Sequence, residues 1–143
     1  MNVIGINFID IGVPDSYEEA RRNFARAIER PAAFLDRDGV INVDHGYTHR
    51  IEDLEFTPTA VKAIKRLNGS GYFVVVVSNQ AGVAHGRFTE ADISTFHREM
   101  QRRLLMLGAH IDAFYYCPYH EDGVTPAYRV ANHPDRKPNP GMI

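Results

Sequence analysis

Apolar residues along this chain come in blocks, and the spacing within each block says which element to expect. Ala32-Ala33-Phe34-Leu35 is a short apolar run that stops abruptly at Asp36-Arg37-Asp38-Gly39, the pattern of a buried strand opening into a polar loop. Asn42 to Phe56 is polar and irregular, as a flap or hairpin would be. Thr57-Pro58 predicts a helix N-cap followed by proline at the first helical position. Val61, Ile64 and Leu67 mark that helix's buried face, and Gly69 its end. Tyr72 to Val77 is apolar without alternation, which predicts a strand buried on both faces of a parallel sheet. Thr89 and Asp92 open a second helix with the stripe Ile93, Phe96, Met100, Leu104 and Leu107, closed by Gly108. Ile111 to Cys117 predicts a third strand, and Asn139-Pro140 a further helix start. The order β-α-β-α-β predicts an α/β fold, a doubly wound parallel sheet with flanking helices.

Residues 1–31 stand apart as an N-terminal appendage of strand, turn and helix. The alternation over 1–15 is imperfect and ends in Gly12-Val13-Pro14-Asp15. Ser16 and Glu19 form a capping box, Tyr17, Ala20, Phe24, Ala27 and Ile28 share a helical face, and Pro31 stops it. The division expected is therefore 1–31 and 32–143.

Composition narrows the partners. Hydrophobic residues at 44% and charged residues at 24% are globular usage and exclude a disordered chain. The 16 basic and 18 acidic side chains leave a formal charge of -2, with no polybasic footprint for nucleic acid or an acidic membrane. Arg98, Arg102 and Arg103 on one helix flank read as a solvated face. The single cysteine, Cys117, excludes an internal disulfide and suits a reducing compartment. No apolar run is long enough for a bilayer, and Asp10 and Asp15 without a basic segment do not read as a signal peptide. A cytoplasmic setting is expected.

In a parallel α/β sheet, ligands bind beyond the carboxyl ends of the strands. Asp36 and Asp38 follow the first strand, Ser78-Asn79-Gln80 the second, and Arg136-Lys137 come later. Two carboxylates at i and i+2 in an extended segment face the same side and repel, so a cation or a shared proton is expected between them. Hard oxygen ligands suit magnesium. One carboxylate would attack phosphorus and the other shuttle a proton. Lys137 would neutralise a phosphoryl group, and Arg136 would add forked hydrogen bonds. Taken singly, the two aspartates also fit a turn, Ser78 a strand end and Arg136-Lys137 a solvated pair. Three clusters at one sheet edge favour the chemistry.

The wording of these clusters carries a family resemblance. Phe34 to Asn42 (FLDRDGVIN) resembles motif I of the haloacid dehalogenase (HAD) phosphatases, Val77 to Ala84 (VSNQAGVA) motif II, and Arg136 to Met142 (RKPNPGM) motif III. It is the wording of the branch that holds histidinol phosphatases and D,D-heptose 1,7-bisphosphate phosphatases. The resemblance implies a HAD-like fold and a Mg2+-dependent phosphomonoester hydrolase acting through an aspartyl-phosphate. It implies D-glycero-D-manno-heptose 1,7-bisphosphate as substrate, with histidinol phosphate as the alternative. By resemblance Asp36 is the nucleophile, Asp38 the general acid and base, and Ser78 and Lys137 hold the phosphoryl group. Mg2+ would bridge Asp36 and the backbone carbonyl of Asp38, while Asn79, Gln80 and Arg136 would face substrate.

The chain departs from that pattern in two places. Many relatives carry a zinc loop whose corresponding positions here are Cys117, Tyr119, His133 and Asp135. Cys117, His120, His133 and Asp135 remain a chemically possible ligand set. Asp135-Arg136-Lys137-Pro138, however, reads like the zinc-free members, so zinc is not expected. The family's motif IV, with the acids that complete the Mg2+ site, is also absent, so the HAD-like domain is expected to be C-terminally incomplete. Nothing in the sequence places Asp44, Asp53, Asp112 or Asp122 in that role. Gly5 to Tyr17 resembles the end of a sugar-phosphate nucleotidyltransferase, which implies fusion to, or association with, such an enzyme. A phosphate-binding, catalytically incomplete part of a bifunctional protein is the alternative to a working phosphatase.

Overall fold

Parallel pairing organises the chain: β1 (Ala32–Leu35), β2 (Phe73–Asn79) and β3 (Ala113–Cys117) lie side by side in the order β1-β2-β3. In register, Leu35 faces Val76 across the first pair, and Asn79 faces Cys117 across the second. The computed structural model describes residues 29–143, of which Pro31–Ile143 forms one compact unit. The strand-turn-helix reading of the appendage falls on residues 1–28, outside those described.

Helices α1 (Ala60–Gly69) and α2 (Glu90–Met106) make the two crossovers. Right-handed crossovers that advance in one direction leave both helices on the same face of the sheet. There, Val74 and Val76 are fully buried against Ala60 and Ile64 of α1 and Phe96, Met100 and Leu104 of α2. Ile41 and Leu54, from the β1–α1 connection, close the same core. The opposite face is open by comparison. Phe34 is 43% and Tyr115 53% exposed there, and Val77 and Cys117 pack under Met142. The parallel α/β sheet is as expected, and the described residues contain one winding of it. None of their helices is long and apolar enough to cross a membrane.

Several boundaries differ from the sequence reading for physical reasons. The N-cap of α1 is Thr59 rather than Thr57. The Thr57 hydroxyl donates instead to the Val40 carbonyl at 2.7 Å, leaving Pro58 in the turn before the helix. Gly69 is the last helical residue, and the left-handed φ of +82° falls on Gly71. β2 runs on through Ser78 and Asn79, because these polar residues pair with Tyr116 and Cys117. The Thr89–Asp92 capping box forms as expected. The apolar stripe of α2 ends at Leu104; Leu107 is the C-cap and half exposed, and Ala109 takes its place in the core. Arg103 is no solvated residue: it binds Glu99 and donates to the carbonyls of Leu54 at 2.7 Å and Ile51 at 3.0 Å. Asn139-Pro140 starts no helix; the Asn139 amide instead ties Asn132 to the His133 carbonyl within a run of turns.

Candidate functional site

The carboxyl ends of β1 and β2 build the site. Beyond Leu35 the chain closes a tight backbone loop. The Arg37 carbonyl accepts from the amides of Ile41 (2.8 Å) and Asn42 (3.1 Å), and the Gly39 amide donates to the Asn42 carbonyl at 2.8 Å. Gly39 sits at φ +77°, a conformation glycine takes without cost. This loop presents Asp36 and Asp38 to a cavity of about 430 Å³ that Asp44, Tyr47, Gln80, Arg136 and Lys137 also line.

Each of the two carboxylates has a basic side chain of its own beside it. Lys137 Nζ lies 3.0 Å from Asp36 Oδ2, and the Arg37 amide donates to Asp36 Oδ1 at 2.8 Å. Asp38 is gripped by the side chain of its neighbour. Arg37 Nη2 reaches both Asp38 oxygens at 2.9 Å, and Nε reaches them at 3.1 and 3.2 Å. Asn42 Nδ2 donates to Asp38 Oδ1 at 3.0 Å, and Gln80 Nε2 to Oδ2 at 2.8 Å. Asp38 thus accepts from three side chains while 21% of its own side chain stays exposed toward the cavity.

The three residues of the second cluster have different surroundings. Ser78 is 1% exposed, takes a hydrogen bond from Gln80 Nε2 at 2.7 Å, and is not in the cavity lining. Gln80 therefore bridges Ser78 and Asp38. Asn79 lines the cavity, but its amide is committed to the backbone of Lys137. It donates to the Lys137 carbonyl at 3.0 Å and accepts from the Lys137 amide at 2.9 Å. Arg136 lines the cavity while donating to the Tyr119 carbonyl at 3.3 Å.

Sequence reasoning missed Arg37, Asn42 and Tyr47. Arg37 stands between two acids and reads as a loop residue, yet its side chain is 0% exposed. Its signal would have been chemical: an arginine flanked by carboxylates on a strand end can satisfy one of them without leaving the core. Of the four acids without a place in the sequence, Asp44 lines the cavity. Asp53 pairs with Arg50, Asp112 accepts from the Val74 amide, and Asp122 donates its amide to His120 Nδ1.

The candidate zinc residues do not come together as a ligand set. The His120 ring lies tilted against His85, with ring centres 4.8 Å apart, and its Nδ1 accepts from the Asp122 amide. The His133 ring stacks on Tyr119 at 4.1 Å and its Nδ1 accepts from the Asp135 amide, with Cys117 Sγ and Asp135 Oδ2 each 4.0 Å from it. Burial pushes the Cys117 thiol pKa up. Among the described residues, no group of three or more His, Cys, Asp or Glu side chains is arranged to hold a metal ion.

The arrangement has known counterparts. The sequence pattern of the family described as polynucleotide kinase 3 phosphatase matches residues 33–143. A D-glycero-beta-D-manno-heptose-1,7-bisphosphate 7-phosphatase of Rhodopseudomonas palustris is 50% identical over 119 residues, 83% of this chain and 66% of that protein. Among solved structures, a HAD-like phosphatase of Mesorhizobium loti is 41% identical with a TM-score of 0.76, over 80% of this chain and 54% of its own. A D,D-heptose 1,7-bisphosphate phosphatase from B. bronchiseptica, solved with magnesium and phosphate, is 34% identical with a TM-score of 0.67, over 78% of this chain and 59% of its own. The chain thus spans less than two thirds of the length of these relatives. From the match over 33–143 and the parallel α/β sheet, this chain belongs to the polynucleotide kinase 3 phosphatase family, with HAD-like phosphatases as its structural neighbours.

Proposed function

We propose that this chain acts as a Mg2+-dependent phosphomonoester hydrolase on a small sugar phosphate, D-glycero-D-manno-heptose 1,7-bisphosphate before histidinol phosphate. The observation that carries this reading is the pair of unequal carboxylates in one cavity: Asp36, 47% exposed beside the Lys137 ammonium, and Asp38, held two residues away. An Asp36 oxygen attacks phosphorus in line, and the bond from phosphorus to the sugar oxygen breaks. The departing oxygen takes a proton from Asp38. Asp38 then takes a proton from water, whose oxygen attacks phosphorus, breaks the Asp36–phosphorus bond and releases phosphate. Lys137 stabilises the charge on the phosphoryl oxygens, held in place by Asn79. Arg136, on the same wall, faces the substrate.

The oxygen donors around Asp36 suit a hard cation. With the Asp38 carboxylate held by Arg37, Asn42 and Gln80 and reserved for proton transfer, its backbone carbonyl is the group it would offer a cation. Asp36, that carbonyl and Asp44 would hold Mg2+. When bound, the ion supplies charge neutralisation between the attacking carboxylate and the phosphoryl group. The relatives' names support the heptose bisphosphate, and the relative solved with magnesium and phosphate supports the ion.

The test is phosphate release by the 143-residue chain from each substrate, with and without Mg2+. Release that needs Mg2+ and disappears in Asp36→Asn is the expected result. Activity retained in Asp36→Asn overturns the mechanism. Phosphate bound but no ester cleaved would replace the enzyme reading with the phosphate-binding one.

A further inference from the structure

We propose that Arg37 is a positioning residue for this chemistry: its buried guanidinium grips both oxygens of Asp38, aims that carboxylate into the cavity, and ties it to the segment carrying Thr48. The proposal rests on the phosphatase reading above for its kinetic consequences, and on geometry for the rest. A carboxylate on a single Cβ turns about two torsions, and one hydrogen bond would leave it free to swing. Here two nitrogens of Arg37, Nε and Nη2, each reach both carboxylate oxygens, all four contacts falling between 2.9 and 3.2 Å.

The fork is itself fixed. Nη2 also donates to the Thr48 carbonyl at 2.6 Å, and Cζ lies 4.7 Å from the centre of the Phe96 ring. Nη1 lies 3.4 Å from His97 Nε2. That ring can accept because burial, with the Arg37 charge behind it, pushes the His97 pKa down to about 3. An arginine with 0% of its side chain exposed has no solvent to fall back on, so its position is set by these partners. Thr48 belongs to the stretch whose Asp44, Gly46 and Tyr47 line the cavity. One cation therefore registers the proton-transfer group against the substrate-facing wall. A lysine at 37 would keep the charge and one nitrogen but lose the second arm of the fork, the Nε that reaches both carboxylate oxygens.

The deciding experiment is a double-mutant cycle in the full chain, with phosphate release as the rate and inorganic phosphate binding as the check on the site. Arg37→Lys is expected to lower kcat about 100-fold, as a misaimed catalytic group does, with KM within about twofold. In the Asp38→Asn background the same substitution is expected to cost less than about twofold, because Arg37 then has nothing left to aim. An equal loss in both backgrounds would make Arg37 a merely structural cation and overturn the proposal. If a variant does not fold, or the unaltered chain releases no phosphate, exchange of the Arg37 Nε–H in the unaltered chain decides. Exchange at least about 100-fold slower than that of the exposed Arg50 supports the grip, and equal exchange overturns it.

Discussion

Asp36 and Asp38 have the same side chain, lie two residues apart on the same strand end and line the same cavity, yet they live in opposite environments. Asp36 is half exposed, with a lysine that is itself partly solvated. Asp38 is 21% exposed and accepts from three side chains, one of them an arginine sealed in the core. A nucleophile must be reachable and able to change partners; a proton carrier must stay where the leaving group will be. The contrast follows from alternation at the end of β1. Arg37 points the other way, into the core under Phe96, and returns its fork to the acid beside it.

The largest expected effect separates them by role. Asp36→Asn should reduce phosphate release by about 10³-fold or more, because no other group can form the covalent intermediate. Acid-quenched protein should then carry no phosphate on residue 36 by mass spectrometry. Lys137→Ala follows, with an expected loss of about 10²-fold in kcat/KM as one charge stabiliser is removed. Steady-state kinetics at saturating Mg2+ would show whether that loss sits in kcat.

Stability should reverse the order. Asp38→Asn leaves the buried Arg37 cation without its counter-charge and should cost about 3 kcal/mol, while Asp36→Asn should shift stability by less than about 0.5 kcal/mol. Urea unfolding of both variants at one pH checks this; equal costs would erase the distinction between the two environments.

The smallest effect concerns His97, packed among Arg37, Asp38, Phe114 and Tyr116. Its folded pKa of about 3 lies below the ordinary 6.5, so the unfolded chain binds a proton that the folded chain does not. Stability is therefore lost as pH falls from about 6.5 toward 3, by about 2 kcal/mol between pH 7 and pH 5. His97→Gln removes the titrating ring and should flatten that part of the pH profile. An unchanged slope would mean that the ring is not held neutral.

Much of this was legible in the sequence, and what was not has a common cause. The apolar run of β2, the capping box at Thr89 and the stripe ending at Leu104 are local patterns, and the structure follows them. The aspartates, Gln80, Arg136 and Lys137 were legible as strand-end clusters, and the structure brings them to one cavity. What escaped were partners set by the third dimension. Arg37 looks solvated until Phe96 and Thr48 close over it, and Arg103 until the Leu54 carbonyl arrives from a distant turn. That both ends of the Asn79 amide meet the backbone of Lys137 also shows only in the fold. Long polar side chains choose partners by reach, and reach has no signature in the spacing of residues.

The Asn79 amide answers the Lys137 backbone as a neighbouring strand would, donor to carbonyl and acceptor to amide. The address of the ammonium is thereby written by the sheet and not by the loop that leads to it. The stretch from Pro118 to Asp135 is tied internally by the Tyr119–His133 stack and the His120–Arg129 bridge, and to its surroundings by the Thr125 amide on the Ala84 carbonyl and by Arg136 on the Tyr119 carbonyl. The Lys137 backbone has in Asn79 an anchor on β2 that does not belong to that stretch.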